Sequence, residues 1–139
     1  SQTRFVDDDT QDFLTEMTNE IMSMGPYFRA VVDSLDFFMQ REDPSRVVAM
    51  LRMMQAHTQL NRGILFITVS NDTITPAIKQ EMAAIADMVC DFKVRTVGSD
   101  FETSMIVSKF RNAPENLSIM VYRVTPEEGI TPETVERIA

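Results

Sequence analysis

The chain has 139 residues, 44% of them hydrophobic, which suits one folded domain with a real core. A formal net charge of −8 supplies no basic stripe to neutralise a phosphate backbone, so autonomous nucleic-acid binding is not expected. No apolar run approaches the roughly 18 residues of a membrane span, and the N-terminus lacks the basic-then-apolar order of a signal peptide. A cytoplasmic protein with no membrane association is therefore expected.

From Asp7 to Met24 the sequence DDDTQDFLTEMTNEIMSM places Phe13, Met17, Ile21 and Met24 at helical spacing, with acids and Thr10 available to cap the start and Gly25-Pro26 to end it. YFRAVVDSLDFF then reads as a strand rich in β-branched residues that ends near Asp33. Asp43-Pro44 is a cap followed by proline at the first helical position. It opens a second helix whose stripe is Val47, Val48, Leu51 and Met54, closed by Asn61-Arg62-Gly63.

GILFITVS, residues 63–70, is apolar on both faces of any strand it forms, which predicts a central parallel position. Thr75-Pro76 opens a third helix carrying Ile78, Met82 and Ile85 on its buried side. After Asp87 the period changes to two. Met88, Cys90, Phe92 and Val94 fall on one face of a strand, and Asp91, Lys93 and Arg95 on the other. Turns at Gly98-Ser99-Asp100 and at 112–116 lead into FETSMIVSKF and LSIMVYRV, an antiparallel meander. Thr131-Pro132-Glu133 is read as the cap of a short closing helix over 131–139 with Val135 and Ile138. The fold class that follows is α/β: parallel strands first, then an antiparallel edge, with helices on the faces. The eleven methionines lie mostly on apolar stripes and are read as core filling.

In parallel α/β sheets, ligands gather at the carboxyl ends of strands. Those ends offer Asp33-Ser34 and Ser70-Asn71-Asp72. A carboxylate there can hold a hydrated magnesium ion beside phosphate oxygens, or can simply cap a helix, and the spacing leaves both open. Lys109 and Arg111 share a side if their strand is still extended at that point, and two cations on one side can clamp a phosphate. They could equally be solubilising charges at a strand end. The acid runs Asp7-Asp8-Asp9 and Glu127-Glu128 are read as solvated caps and turns. The single histidine, His57, sits late in the second helix, where it favours the dipole. One cysteine, Cys90, excludes an internal disulfide, and no Gly-x-Ser-x-Gly elbow supports a hydrolase triad.

Taken in order, AVVDSLDFF, GILFITVSN, EMAAIADMVCDF, SKFRNAP and YRVTPEEGI resemble the C-terminal half of RecA-superfamily ATPases of the KaiC-like kind, over residues 10 to 130. That group includes the circadian-clock ATPase and archaeal paralogues implicated in signalling, motility and recombination. The resemblance implies that AVVDSLDFF is the Walker B strand, with Asp33 helping to hold magnesium through water and Ser34 following it. Ser70 and Asn71 match the polar end of the strand that senses the γ-phosphate, although the glutamine often found there is missing. Lys109 and Arg111 match a Lys-x-Arg pair that reaches the nucleotide of a neighbouring subunit in a ring, where an arginine acting in trans stabilises charge on the transferring phosphoryl group.

No Gly-x-x-x-x-Gly-Lys-[Ser/Thr] occurs, and the chain has only four glycines. Without that phosphate cradle, ATP and magnesium are expected as cofactors of a longer parent ATPase and not as tight ligands of this chain alone. The start at Ser-Gln favours an excerpt of such a parent; the alternative is a non-catalytic interaction module on a degenerate RecA-like scaffold. Either reading implies protein partners and a homo-oligomer, as a dimer or a ring, through strand edges and apolar surface. A phosphoacceptor receiver domain would also use a strand-end aspartate, a hydroxyl and a late lysine, here Asp33, Ser70 and Lys109. However, the acidic cluster at 7–9 opens a helix instead of ending a strand, and no proline follows Lys109.

Overall fold

The computed structural model describes residues 12–113 and 118–133. Its contacts divide the chain into two compact units, residues 1–85 and 86–139, where length alone suggested one domain. The break falls where the hydrophobic period changes, because the meander pairs with itself.

The first unit opens with α1 (Phe13–Ser23), capped by the Asp12 carboxylate, which accepts the Thr15 N–H at 3.0 Å. Its buried positions are Leu14, Thr18 and Ile21, and Met17 and Met24 pack against the same core, so of the predicted stripe only Phe13 yields its place, to Leu14. Asp7–Asp9 and Thr10, the expected caps, lie outside the described residues. Strand β1 (Arg29–Val32) follows and stops just before Asp33, where the sequence pattern places its end. Residues 36–41, to which the sequence pattern assigns no element of their own, form helix α2 (Asp36–Arg41). Leu35 and Met39 are buried and Phe38 packs against them, a spacing of three and four that only a helix presents to one core.

Helix α3 (Pro44–Leu60) starts as expected: Asp43 accepts the Ser45 N–H at 2.9 Å, and Pro44 takes the first turn. Val47, Val48, Leu51 and Met54 are all buried. The helix ends with Gly63 N–H donating to the Thr58 carbonyl (2.9 Å) and Arg62 N–H to the Gln59 carbonyl (3.2 Å). Arg62 carries the left-handed φ of 51° that this Schellman closure needs.

Strand β2 (Ile64–Ile67) pairs in parallel with β1, Arg29 opposite Ile64 through Val32 opposite Ile67. The inner face of the pair, Ala30, Val32, Leu65 and Ile67, packs against the core of Leu14, Ile21, Leu35, Met39, Val47, Leu51 and Met54. Among the described strands β2 has one partner, and Val31, Ile64 and Phe66 on the other face are exposed. The expected burial on both faces is therefore absent from this unit. A 3-10 turn (Asn71–Thr73) leads to α4 (Pro76–Ile85), which lays Ile78, Met82 and Ile85 against the core as the spacing predicts.

The second unit is a four-stranded antiparallel meander: β3 (Met88–Val97), β4 (Asp100–Phe110), β5 (Ser118–Thr125) and β6 (Gly129–Glu133), in that order. Gly98, at φ 63°, makes the first tight turn. Thr131, Pro132 and Glu133 do not cap a helix but belong to β6. Glu128 N–H donates to the Thr125 hydroxyl at 3.1 Å, Gly129 turns the chain at φ 69°, and Ile130 comes back opposite Val124. Pro132 is tolerated because β6 is the edge strand. The rest of the expected closing helix, with Val135 and Ile138, lies outside the described residues.

Candidate functional site

Parallel pairing brings the carboxyl ends of β1 and β2 to one side of the first unit, and the residues just past both ends interlock. Thr68 N–H donates to the Val32 carbonyl (3.1 Å), and Leu35 N–H donates to the Thr68 carbonyl (2.9 Å). The Thr68 hydroxyl donates to Asp33 Oδ1 at 2.6 Å. Asp33 is thereby held at the surface beyond an apolar strand, with one carboxylate oxygen fixed by a neutral donor. The Asp33–Ser34 peptide bond is cis. Ser34 is half-buried, and its hydroxyl accepts the Asp36 N–H at 3.3 Å.

Leu35 anchors this turn. It is fully buried, and its carbonyl accepts from Phe38 N–H (2.9 Å) and Met39 N–H (3.0 Å) to start α2. Asp36 then reaches across to the loop after β2. Its carboxylate accepts the Ser70 N–H at 2.9 Å, the Ser70 hydroxyl at 2.8 Å and the Thr73 hydroxyl at 2.7 Å. The Ser70 backbone bond first, then the two hydroxyls, hold the Asp36 carboxyl down at about 2. Ser70 and Asn71 are both exposed, Ser70 immobilised by Asp36 and Asn71 opening the 3-10 turn.

Asp33, Ser34, Ser70 and Asn71 thus fall in one constellation. Lys109 and Arg111 belong to the second unit. Lys109 lies in β4 opposite Val89, but β4 ends at Phe110, so the extended geometry that would put Lys109 and Arg111 on one side stops short of Arg111. Arg111 is in the following turn, where its N–H donates to the Asp87 carbonyl (2.8 Å) and its Nη1 meets Asp87 Oδ1 at 2.7 Å.

Sequence reasoning missed Asp36, Thr68 and Thr73. Asp36 was legible in principle, since the Leu35, Phe38, Met39 spacing marks a helix with an acid in its first turn. The two threonines carried no such signal, because their role depends on strand register. His57 is structural: its Nε2 lies 2.9 Å from the Met24 carbonyl, tying α3 to the end of α1, while Asn61 Nδ2 lies 3.2 Å from its Nδ1. Burial pushes the Cys90 thiol up, with Asp91 adding to it, so the sulfur is not poised as a nucleophile.

A surface carboxylate at the end of a parallel strand, beside a braced hydroxyl-rich loop, can orient a hydrated cation or a phosphate oxygen. Among the described residues no cluster of three or more histidine, cysteine or acidic side chains forms a closed metal cage. No helix among the described residues is long and apolar enough to cross a membrane.

A family model described as a family of unknown function (DUF7125) matches residues 1–122. No curated protein matches the chain. Among solved structures, the flagellar accessory protein FlaH from Methanocaldococcus jannaschii is similar at a TM-score of 0.66 and 18% identity, over 88% of this chain and 54% of that one. A KaiC-like protein from the hyperthermophilic archaeon Pyrococcus horikoshii OT3 is similar at a TM-score of 0.60 and 14% identity, over 88% of this chain and 53% of that one. The likeness establishes a RecA/KaiC-like α/β scaffold, and the chain spans about half the length of both structures.

Proposed function

The chain belongs to this family of unknown function, and from that premise we propose that it forms the magnesium-facing and γ-phosphate-facing half of a RecA/KaiC-like ATPase site, in a longer parent that works in signalling or assembly. The observation that carries the reading is the joint placement of Asp33 and Ser70 past adjacent parallel strands, on a scaffold shared with FlaH and a KaiC-like protein.

In this reading Asp33 is the Walker B carboxylate and would hold magnesium through water. The Thr68 hydroxyl fixes one Asp33 oxygen and so aims the other. Magnesium, when bound with ATP, supplies charge neutralisation at the phosphates. Asp36 acts through Ser70: by accepting both the backbone and side-chain donors of that residue it sets the loop that ends in Asn71. Lys109 and Arg111 would act on a neighbouring subunit's nucleotide, which requires Arg111 to exchange its Asp87 partner for phosphate.

The test is magnesium-dependent binding of a fluorescent ATP analogue by the complete encoded polypeptide. Asp33→Asn should abolish the magnesium dependence while the fold, followed by circular dichroism, is kept. Unchanged magnesium dependence would sink the assignment. This chain alone, with no Gly-x-x-x-x-Gly-Lys-[Ser/Thr] cradle, should bind the analogue weakly or not at all. A second reading, a non-catalytic interaction module, is favoured by one observation: Arg111 is already paired within its own unit. In a mixed-subunit assay, loss of hydrolysis at the neighbour's site on Arg111→Ala supports the trans role, and an unchanged rate supports the module.

A further inference from the structure

The meander is not paired along its whole length. β4 and β5 run together from Val107 opposite Ser118 to Thr103 opposite Tyr122, where the Thr103 hydroxyl donates to the Tyr122 carbonyl. Continuing that register would set Glu102 opposite Arg123, Phe101 opposite Val124 and Asp100 opposite Thr125, and none of these pairs forms. Each strand stays paired on its other side, β4 to β3 as far as Asp100 opposite Val97, and β5 to β6 as far as Thr125 opposite Gly129. The two hairpins therefore part beyond Tyr122 like the prongs of a fork. A cleft of about 160 Å³ lies between them, lined by Asp100, Phe101 and Glu102 on one prong and by Tyr122, Arg123 and Glu133 on the other.

Alternation along the ladder determines which main-chain groups face into the fork. Pro132, opposite Tyr122 in β6, has no N–H, so Tyr122 turns its main-chain groups towards Thr103 in β4, and Thr103 turns its own towards Tyr122. Two residues on, Val124 and Phe101 turn the same way. Their N–H and C=O groups face each other across the gap with no ladder pair between them, and the two residues are 66% and 76% exposed. Such an unpaired edge is a template for another strand.

We infer that the fork takes an extended segment of a partner protein as an added strand, and that this segment reads basic–apolar–basic. A strand laid between two antiparallel strands is antiparallel to one and parallel to the other. Its central residue then stands opposite both Phe101 and Val124, and the two flanking residues bond the parallel prong. The central side chain falls on the face of Phe101 and Val124, which favours an apolar residue there. The flanking side chains fall on the face of Asp100, Glu102 and Arg123, where Glu102 meets Arg95 at 2.7 Å and Arg123 meets Glu133. Asp100, Glu102 and Glu133 line the cleft against the single Arg123, which selects cations at the flanking positions. A second copy does not supply the segment. The sequence has two basic–apolar–basic stretches, Lys93-Val94-Arg95 and Lys109-Phe110-Arg111, and both are already held, the first in β3 and the second across the end of β4. Nor does any described strand feed the fork: both hairpins turn back at its open end, and β6 carries the chain to Glu133, opposite Val121 and past the closed end. The inference does not depend on the nucleotide reading.

The test is an amide NMR titration of the isotope-labelled 139-residue chain with the peptide Ser-Gly-Lys-Val-Arg-Gly-Ser. The control peptide Ser-Gly-Val-Lys-Arg-Gly-Ser has the same composition and charge without the alternation. Saturable shifts centred on Phe101 and Val124 are expected with the first peptide, and binding at least about tenfold weaker with the second. Asp100→Lys combined with Glu102→Lys should raise the dissociation constant at least about tenfold, and Val124→Pro should remove binding by deleting the N–H that faces the fork. Glu20→Lys, a charge reversal on α1, should leave it unchanged. No saturation by about 1 mM peptide, equal binding of the two peptides, or indifference to both fork variants would overturn the inference. Because a variant could fail to fold, hydrogen exchange of the wild type gives an independent readout: the Phe101 and Val124 amides should exchange fast in the free chain and slow when the alternating peptide binds. Amides already protected in the free chain, or unaffected by peptide, would equally overturn it. In the complete encoded polypeptide the same two amides should exchange fast without peptide; protection there means that the chain fills its own fork and that no partner is needed.

Discussion

Leu35→Ala tests whether the turn between β1 and α2 is held by the core or merely by its own hydrogen bonds. The leucine is fully buried between Ser34 and Asp36, so its side chain ties both candidate site residues to the packed cluster beneath them. Truncation removes three carbons, worth about 2.4 kcal/mol at about 0.8 kcal/mol per buried CH₂. The space left behind adds to this, since surrounding α1 and α3 side chains collapse only in part, for a total of about 3–4 kcal/mol. Against the roughly 5–15 kcal/mol of a typical domain this is a large fraction. With a urea dependence of about 2 kcal/mol per M, the unfolding midpoint should fall by roughly 1.5–2 M. Equilibrium urea unfolding followed by circular dichroism measures it, with Leu60→Ala as control, since Leu60 is 83% exposed and should shift stability by less than about 0.5 kcal/mol. A loss below about 1 kcal/mol for Leu35→Ala would refute the anchoring role, and a similar loss for both leucines would refute the burial argument behind it.

Gly63→Ala should destabilise by about 1–3 kcal/mol, because a Cβ there would stand 2.4 Å from the Phe28 ring, itself packed against the core. A double-mutant cycle with Phe28→Leu should recover part of that loss. Arg62→Gly should stabilise by up to about 1 kcal/mol by relieving the left-handed φ of 51° at the end of α3, read as a rise in thermal midpoint. The Asp36 carboxyl is held at about 2, below its ordinary 3.8. A depressed carboxyl contributes stability that is present above about pH 4 and lost as pH falls towards 2. Asp36→Asn should therefore be less stable than wild type at neutral pH and lose less on acidification through that window, measured as urea midpoints from pH 6 to pH 2.5. Parallel curves for the two proteins would show that the Ser70 and Thr73 contacts do not bias its ionisation.

Much of this chain was decided by local chemistry that a sequence carries openly. Asp43-Pro44 starts a helix because a carboxylate satisfies an orphan N–H and proline lacks one. The stripe at 47, 48, 51 and 54 is buried because only one side of a helix meets the core, and the alternation after Asp87 makes the meander. The strand-end placement of Asp33 and Ser70 followed from the same patterns. What depended on non-local register was not legible. Thr68 meets Asp33, and Asp36 meets Ser70 and Thr73, only because β1 and β2 align Val32 with Ile67, and nothing within ten residues of either partner encodes that alignment. Likewise a hydrophobic alternation says that one face of the meander is apolar, but not that Phe92, Phe101 and Ile130 remain exposed on it. Burial is a property of what packs against a surface, and that is decided in three dimensions.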